Sequence, residues 1–312
     1  MSKLKTAVIG VGYLGKFHAQ KYAELENSEL VAVVDYSQET ADTIAAQYDN
    51  VQALTDYSSL LGKVDAVSIA APTTLHYQIA KDFLENGSHV LIEKPITVTV
   101  AEAEGLIAIA NAKELLIQVG FLERFNAAIL EADNEITEPV FIESHRLAPY
   151  NPRANDVNVV LDLMIHDIDI ILNIVKSPLK NISASGTPVL TPSTDIANAR
   201  LEFENGCVAN VTASRISMKT ERKMRLFQEN SCVTIDFQNR GLNVYKKGDE
   251  LNEHGVNDIL VSEQTFDNND ALKTEIIAFL NSIETGSPTL VTGEDGKKAL
   301  ETAITISKLF NE

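Results

Sequence analysis

The chain has 312 residues, of which 45% are hydrophobic and 22% are charged, a composition typical of a globular protein with room for two domains. Its formal net charge of −18 argues against a nucleic-acid partner, because a phosphate backbone would be repelled, but not against an anionic small molecule in a local basic pocket. Cys207 and Cys232 are too few for a disulfide framework, which fits a reducing cytoplasm, and we interpret both as apolar strand residues because no CxxC or Cys/His pairing accompanies them.

The N-terminus leads directly into a predicted strand at Thr6, so we expect no signal peptide. The longest apolar stretch, Ile165–Val175, contains His166, Asp167 and Asp169. It is shorter than the roughly 18 residues that a transmembrane helix needs. We therefore interpret it as a buried amphipathic helix and expect no membrane partner.

Up to about residue 120, apolar segments alternate with helix-like segments. Short, nearly continuous apolar strands of this kind indicate a parallel sheet covered on both faces, and right-handed crossovers then give a doubly wound Rossmann domain over residues 1–120. The predicted strands are Thr6–Ile9, Glu29–Val34, Ala66–Ile69, His89–Ile92 and Leu115–Val119. The predicted helices are Leu14–Leu25, Gln38–Tyr48, Leu75–Glu85 and Val100–Ala112.

Residues 121–312 have a different pattern and are predicted to form a second α/β domain with mainly antiparallel strands. Apolar and polar residues alternate in Phe141–Arg146, Ala197–Phe203, Cys207–Ala213 and Cys232–Phe237, as in strands with one wetted face. Helices are predicted at Val159–Val175, Ala271–Glu284 and Gly293–Phe310. The polar, acidic stretch Lys246–Asp270 is interpreted as strand ends and surface loop.

A glycine fingerprint, Gly10-x-Gly12-x-x-Gly15, follows the first strand and opens the first helix. In this pattern Gly10 permits a tight turn, Gly12 lets the backbone approach a pyrophosphate, and Gly15 lets the helix pack closely on the sheet. The helix N-terminus directs its N–H groups at the phosphates. Tyr13 and Leu14, in the same turn, are therefore also predicted cofactor contacts.

Asp35 ends the second strand, 20 residues after Gly15. A carboxylate at this spacing accepts hydrogen bonds from the adenine ribose hydroxyls and would repel a 2′-phosphate. The next residues, Tyr36-Ser37-Gln38, include no arginine that could hold such a phosphate. The sequence therefore favours NAD over NADP as the cofactor.

The third strand runs into a loop of small residues with a proline. Such a loop can lie flat beside the adenosine or the diphosphate, so Ala71, Pro72 and Thr73 are predicted cofactor contacts. His76 has two alternatives: contact with the cofactor, or a capping or packing role in the next helix.

Glu93-Lys94-Pro95 closes the fourth strand. Ligands of open α/β sheets bind beyond the carboxyl ends of the strands, which predicts that Glu93 and Lys94 lie near the nicotinamide. An ammonium there can polarise a substrate oxygen and stabilise developing alkoxide charge. The alternative is a surface lysine paired with Glu93, and the position of the motif in the predicted fold favours the first interpretation.

Asp162 and His166 are four residues apart on a predicted helix and therefore share a face. An imidazole can take a hydroxyl proton while hydride leaves the same carbon, and a carboxylate can orient that imidazole. The alternative is a pair of helix residues that holds the domain together.

Three motifs together resemble the glucose-fructose oxidoreductase/inositol dehydrogenase (Gfo/Idh/MocA) family: Gly10-Val-Gly12-Tyr-Leu-Gly15-Lys-Phe-His18, Glu93-Lys94-Pro95 and Asp162-Leu-Met-Ile-His166-Asp-Ile-Asp. The resemblance covers nearly the whole chain. It implies a Rossmann domain followed by an α/β domain whose open antiparallel sheet often builds oligomer interfaces, and hence a homodimer or homotetramer. It also implies that Lys94, Asp162 and His166 form the catalytic group, with His166 as the general base.

Residues 119–126, 145–162 and 213–217 resemble members acting on nucleotide-linked amino sugars, the UDP-N-acetylglucosamine 3-dehydrogenase subgroup, although Phe121 replaces the histidine expected there. The resemblance implies that the substrate is a sugar or sugar nucleotide, with the 3-hydroxyl of a UDP-N-acetylhexosamine as the oxidised group. Four arginines in an acidic chain could form the anion pocket that such a substrate needs, and a structural salt bridge is the alternative for each. They are Arg124, Arg146, Arg153 and Arg215.

The leading hypothesis is therefore NAD-dependent oxidation of a ring hydroxyl to a keto sugar, with no metal ligand predicted. A second hypothesis keeps the same residues but uses transient oxidation at C3 to eliminate an aglycone, as in NAD-dependent glycosidases of this family. A third is a non-catalytic NAD-binding regulatory module, which the intact Lys94, Asp162 and His166 argue against.

Overall fold

The computed structural model describes residues 3–151, 157–251, 253–266 and 270–310. The chain divides into two compact units, residues 1–122 with 270–300, and residues 123–269 with 301–312. The first boundary lies close to the predicted one at residue 120. Residues 270–300 differ from the prediction, because they belong to the first unit and not to the second domain.

The described residues contain eight α-helices and fourteen strands, which are numbered in chain order. The helices are α1 Gly15–Glu24, α2 Gln38–Ala45, α3 Thr73–Glu85, α4 Val100–Ala112, α5 Ala127–Ala132, α6 Ile165–Val175, α7 Ala271–Thr285 and α8 Gly293–Lys308. The strands of the first unit are β1 Leu4–Ile9, β2 Ser28–Val34, β3 Gln52–Leu54, β4 Ala66–Ile69, β5 His89–Glu93 and β6 Ile117–Gly120. Those of the second unit are β7 Pro139–Leu147, β8 Leu179–Thr187, β9 Ile196–Phe203, β10 Val208–Ser214, β11 Glu221–Gln228, β12 Ser231–Asp236, β13 Gly241–Leu251 and β14 Asn257–Thr265.

The first unit is built on a six-stranded sheet with the order β3-β2-β1-β4-β5-β6. All pairs in it are parallel. The order reverses between β1 and β4, which is the switch point where doubly wound sheets bind dinucleotides. The predicted Rossmann architecture is confirmed; the short strand β3 was not predicted.

Helix α7 explains why the domain boundary differs from the prediction. Its residues Ile276, Phe279 and Leu280 are fully buried and share one core cluster with Val8 of β1 and Tyr22 of α1. The spacing of such residues predicts an amphipathic helix but not the surface on which its apolar face is buried. That surface belongs to the first unit, although the helix follows the second unit along the chain.

The second unit is built on an eight-stranded sheet with the order β14-β13-β12-β11-β7-β10-β9-β8. Among the described strands of this sheet, only β7 and β10 are parallel neighbours, so the prediction of a mainly antiparallel sheet is confirmed. Helix α6 packs against β7 and β10, and α5 packs against β12 and β13. Alternate residues of β9 are buried (Ala197, Ala199, Leu201 and Phe203), as expected for a sheet with one covered face.

The prediction of strand ends and surface loop over Lys246–Asp270 is wrong for β14. This strand pairs with β13 along the edge of the sheet, and from Ile259 onwards its residues are exposed. An edge strand with both faces in solvent has no alternation of burial, so the sequence lacks the period-two signal that predicts a strand. No described helix is both long enough and apolar enough to cross a membrane.

Candidate active site

The glycine fingerprint forms a close-packed turn between β1 and α1. Gly10 has a φ of +87°, and a Cβ there would lie 2.7 Å from the main-chain nitrogen of Ala71. A Cβ on Gly15 would lie 1.8 Å from the carbonyl oxygen of Gly10. A Cβ on Gly12 would meet nothing within 4 Å. Gly10 and Gly15 are therefore required by packing, whereas Gly12 leaves open surface, which fits the approach of a pyrophosphate.

The N-terminus of α1 lies beside this open surface. The helix begins at Gly15, and the preceding residue, Leu14, has no side-chain acceptor to cap the first N–H groups. Tyr13 and Leu14 are 67% and 46% exposed. The turn thus presents N–H groups and accessible side chains where a dinucleotide phosphate is expected.

Asp35 lies at the end of β2, where it was predicted to accept the ribose hydroxyls. Its Oδ2 accepts a hydrogen bond from the main-chain N–H of Val11 at 3.1 Å, and its Oδ1 accepts one from the main-chain N–H of Ser37 at 3.1 Å. The carboxylate therefore ties the glycine turn to the end of β2. Each carboxylate oxygen has a second lone pair for a hydroxyl donor, and the following residue, Tyr36, is 96% exposed.

His76 takes the packing role rather than an open position. The residue is 1% exposed, with its ring Nδ1 at 3.0 Å from the carbonyl oxygen of Pro95 and Nε2 at 2.8 Å from that of Ala71. Burial lowers the pKa of the imidazole, although these two carbonyls oppose the shift. His76 thus links the loop after β4 to the loop after β5. Pro72 occupies the N-cap position of α3 without a side-chain cap, and Thr73 is the first residue of that helix.

Lys94 follows β5 and is half-buried. The carboxylate of Glu93 fixes its main chain, because Oε2 accepts a hydrogen bond from the Lys94 N–H at 3.3 Å. The other oxygen, Oε1, lies 3.1 Å from Nε2 of the buried His18 on α1. A Cβ on Gly120 of β6 would lie 2.9 Å from Glu93 Oε2, so this glycine gives the carboxylate its space.

Asp162 and His166 lie in the second unit. His166 is in the first turn of α6, and Asp162 is in the turn directly before it. The segment Val160–Met164 is a π-helical turn, so the predicted helix over Val159–Val175 is not a uniform α-helix. π-turns within helices occur frequently at functional sites. Asp162, Leu163 and His166 are half-buried, whereas Met164 and Ile165 are fully buried. Both predicted catalytic side chains are therefore partly accessible at the start of this helix.

Asn158 fixes the start of that helix and was not predicted. Its Oδ1 accepts hydrogen bonds from the main-chain N–H groups of Val160 and Leu161, both at 3.1 Å. Its Nδ2 donates to the Ser307 hydroxyl at 3.1 Å. An asparagine directly before an apolar run is a helix-start signal, and it could have been recognised in the sequence.

The predicted anion pocket is not formed by the three described arginines. Arg124 is paired with Asp169 through two hydrogen bonds of 2.7 and 2.8 Å. Arg146 is paired with Asp167 at 2.8 and 3.1 Å and with Glu123 at 2.9 Å.

Burial would lower the pKa of Arg146, but the attraction of Asp167 and Glu123 outweighs it and raises that pKa. Each guanidinium is thus neutralised where it lies, as in the salt-bridge alternative. Arg153, the fourth candidate, lies outside the described residues.

Arg215 is the third buried cation, and it supports the start of the helix. Its Nε donates to Asp195 at 2.8 Å, and its Nη1 donates to the carbonyl oxygen of Val157 at 2.8 Å. Asp195 is 0% exposed and also accepts hydrogen bonds from the main-chain N–H groups of Val189, Leu190 and Thr191. Burial alone would raise the pKa of Asp195, but these hydrogen bonds and Arg215 outweigh it and hold that pKa well below its usual range.

Other chemistry has little support in the described part of the chain. No group of three or more His, Cys, Asp or Glu side chains there could hold a metal ion. Both cysteines are free thiols, and burial raises the pKa of Cys207 to about 11. A thiol with such a pKa is protonated at neutral pH and is therefore a poor nucleophile.

Comparison with known proteins identifies relatives along the whole chain. Residues 4–121 match the Gfo/Idh/MocA model described as an oxidoreductase family with an NAD-binding Rossmann fold, and residues 127–233 match a C-terminal domain of the same family. The chain is 36% identical over 307 residues to a UDP-N-acetylglucosamine 3-dehydrogenase of Acidithiobacillus ferrooxidans, covering 98% of this chain and 97% of that protein.

Solved structures agree with this comparison. A structure of the Acidithiobacillus ferrooxidans enzyme superposes with a TM-score of 0.90, covering 99% of this chain and 98% of that one. Scyllo-inositol dehydrogenase from Lactobacillus casei, solved with bound NAD(H) and scyllo-inositol, has a TM-score of 0.81 at 23% identity, over 99% of this chain and 97% of that one. The second likeness concerns the fold.

The contrast between Gly12 and Gly15 gives a prediction about cofactor binding. Gly12→Ala should fold normally, because its Cβ meets no neighbour, but should bind NAD at least about tenfold more weakly, because the methyl group occupies the phosphate approach. Gly15→Ala should instead lower the free energy of unfolding by about 2 kcal/mol or more through its clash with Gly10. Calorimetric titration with NAD and urea denaturation measure the two effects, and unchanged NAD affinity in Gly12→Ala would contradict this assignment.

The buried pair Arg215–Asp195 gives a prediction about stability. Asp195→Asn should lower the free energy of unfolding by about 3–5 kcal/mol at pH 7, because it leaves a buried cation uncompensated. The folded pKa of Asp195 is depressed, so its contribution is present above the unfolded pKa and lost as the pH falls through the folded one. The difference in the free energy of unfolding between Asp195→Asn and the parent should therefore become smaller as the pH falls. Urea denaturation measures it, with the exposed Asp249→Asn as a control expected within about 0.5 kcal/mol of the parent.

Proposed function

This chain belongs to the Gfo/Idh/MocA oxidoreductase family, and on that premise we propose that it oxidises the 3-hydroxyl of a UDP-linked N-acetylhexosamine to a ketone, with NAD as the cofactor. The observation that carries the proposal is the 36% identity over 98% of the chain to a UDP-N-acetylglucosamine 3-dehydrogenase. A lysine, an aspartate and a histidine at the positions that the family motifs predict agree with it.

The proposed mechanism assigns one task to each of these residues. Bound NAD would supply the hydride acceptor. The open surface at Gly12 fits the diphosphate of NAD, and the carboxylate of Asp35 fits its adenine ribose. The His166 imidazole takes the hydroxyl proton as the C–H bond of the same carbon breaks, so that a C=O bond forms. The Lys94 ammonium donates a hydrogen bond to the substrate oxygen and stabilises its developing negative charge. Asp162 orients the imidazole.

The buried arginines have a structural role and do not bind the substrate. Arg124, Arg146 and Arg215 hold segments of the second unit together through their carboxylate partners. Arg153, outside the described residues, remains the arginine proposed to contact the diphosphate of the substrate. A guanidinium suits that task because it forms bidentate hydrogen bonds to phosphate.

We also propose that the protein is a cytoplasmic homodimer or homotetramer. The face of the eight-stranded sheet opposite its buried residues carries half-buried or exposed side chains, including the ring pair Phe141–Phe227 with centroids 5.8 Å apart. An uncovered sheet face with aromatic residues suits contact with a second copy. The free thiols Cys207 and Cys232 fit a reducing compartment.

A panel of UDP-sugars in the presence of NAD identifies the substrate, because a ligand that binds the folded state raises the melting temperature. Product analysis then separates the reactions. Stoichiometric NADH with a keto sugar supports the dehydrogenase, whereas free UDP with regenerated NAD would support elimination. A protein that binds NAD but transfers no hydride with any sugar nucleotide would support a regulatory module instead.

The role of His166 is tested by His166→Asn. Loss of a general base should lower turnover of the identified substrate by about 10²–10⁴-fold while NAD affinity stays within about twofold. His145→Asn is the matched control, because the His145 side chain is 51% exposed on the sheet and has no proposed role. Initial rates of NADH formation measure the effect, and a loss of less than about threefold in His166→Asn would contradict the assignment.

Asp35 should determine cofactor preference. Charge-assisted hydrogen bonds to the ribose hydroxyls contribute about 1.5–3 kcal/mol, so NAD should bind roughly tenfold to a hundredfold more tightly than NADP. Asp35→Ser combined with Tyr36→Arg should narrow or invert this preference, and the 96% exposure of Tyr36 leaves room for the longer side chain. Calorimetric titration with both cofactors measures the ratio, and equal affinities in the unmodified protein would show that Asp35 does not bind the ribose.

A further inference from the structure

A buried glutamate lies in the first unit and has no part in the mechanism above. Glu275, on α7, is 0% exposed. Neither of its carboxyl oxygens has a hydrogen-bond partner among the described residues. Its main-chain carbonyl oxygen accepts a hydrogen bond of 3.0 Å from the side-chain amide of Gln118, on β6. A charged carboxylate without a partner in such a place would be very costly, so the side chain must be neutral or its surroundings must change.

The surroundings of Glu275 favour the neutral form. Burial raises the pKa of this carboxyl well above its ordinary value, and the negative charge of nearby Glu93 raises it further. Tyr22 faces it from α1 and is itself kept protonated, because burial raises its pKa. None of these neighbours offers a positive charge to the carboxyl group.

The other charged groups between α1 and α7 pair with one another. Nζ of Lys21 lies 2.9 Å from Oδ2 of Asp270, at the N-terminus of α7. Nζ of Lys273 lies 3.6 Å from Oε2 of Glu24. These pairs are partly exposed at the ends of the two helices, and they neutralise each other there. Glu93 therefore remains the charged group that acts on Glu275.

Glu93 and His18 complete a small polar cluster. A carboxylate can only accept hydrogen bonds, so the His18 nitrogen 3.1 Å from Glu93, Nε2, carries the proton. The other ring nitrogen of His18, Nδ1, and Oε1 of Gln118 are also buried without a partner among the described residues. A protonated Glu275 supplies a hydrogen-bond donor here, whereas an ionised one would supply only acceptors.

We propose that Glu275 is a positioning residue for Lys94, acting as a neutral acid that leaves the Glu93 carboxylate as the single negative charge of this cluster. The inference rests on the catalytic and cofactor-binding roles proposed for Lys94 and Glu93. With Glu275 neutral, Glu93 is free to accept from His18 and from the Lys94 N–H. Ionisation of Glu275 would create repulsion between two negatively charged carboxylates, Glu275 and Glu93, in a buried site. This repulsion would displace Glu93 from the main-chain N–H of Lys94.

Stability as a function of pH tests the neutral acid without any substrate. A group whose folded pKa is raised contributes stability below its unfolded pKa and loses it as the pH rises towards the folded value. Glu275→Gln removes this loss, so its melting temperature relative to the parent should rise by about 2–4 °C for each pH unit above about pH 5. Glu301→Gln, on the exposed face of α8, is the matched control and should show no such slope.

A second variant keeps the test valid if the glutamine packs poorly. Glu275→Met has a similar length and no titrating group, so it should show the same slope against pH even if its melting temperature is lower at every pH. A flat or falling difference in both variants would overturn the neutral acid, because it would mean that Glu275 is charged in the folded protein.

NAD affinity as a function of pH tests the positioning role. As the pH rises from about 7 to about 10, the parent should lose at least about threefold in NAD affinity, whereas Glu275→Gln should lose less than half as much. Identical profiles would overturn the positioning role even if the stability slope is present. Neither the melting temperature nor the NAD affinity requires turnover. A failure to oxidise UDP-sugars would therefore contradict the proposed function, while these two measurements would still test the role of Glu275.

Discussion

Burying an arginine costs several kcal/mol unless a carboxylate neutralises it, and the second unit meets this requirement with a separate partner for each of three arginines. Two of the carboxylates belong to α6: Asp167 follows His166 directly, and Asp169 lies three residues after it. The third, Asp195, holds Arg215 while that arginine also binds the carbonyl oxygen of Val157, just before the helix begins. The helix that carries Asp162 and His166 is thus fixed by charge pairing along its first turns. The same pairing removes these arginines from the recognition of an anionic ligand.

The first unit depends on close backbone packing where the second depends on charge. The turn at Gly10 and the start of α1 at Gly15 approach each other so closely that neither position can hold a side chain. His76 then joins the loops that follow β4 and β5 through two main-chain carbonyls. These contacts fix the carboxyl ends of the central strands, which is where a doubly wound sheet binds its cofactor. The open position at Gly12 is left for the ligand within an otherwise rigid turn.

Glu93 shows how one side chain can serve both packing and chemistry. It lies over Gly120, faces His18 and accepts a hydrogen bond from the main-chain N–H of Lys94, so this one carboxylate joins the lysine to α1 and β6. A second carboxyl group nearby is compatible with that arrangement only in its neutral form. The motif Glu93-Lys94-Pro95 is therefore supported by residues from α1 and β6, which are separate from it along the chain.

Contiguous patterns were sufficient to predict the parallel, doubly wound sheet of the first unit, the glycine turn between β1 and α1, and a helix through Asp162 and His166, because each depends on the spacing of neighbouring residues. The edge strand β14 could not be predicted in this way, since a strand exposed on both faces has no alternation, and α7 could not be assigned to its unit, since an apolar helix face does not specify its partner. The sequence alone thus determined the fold class, the family motifs and the cofactor. Only the tertiary structure decided the partners of the buried arginines, the packing role of His76 and the environment of Glu275, because electrostatic energies in a protein interior depend on groups distant along the chain, such as Gln118 and Glu275, which are 157 residues apart.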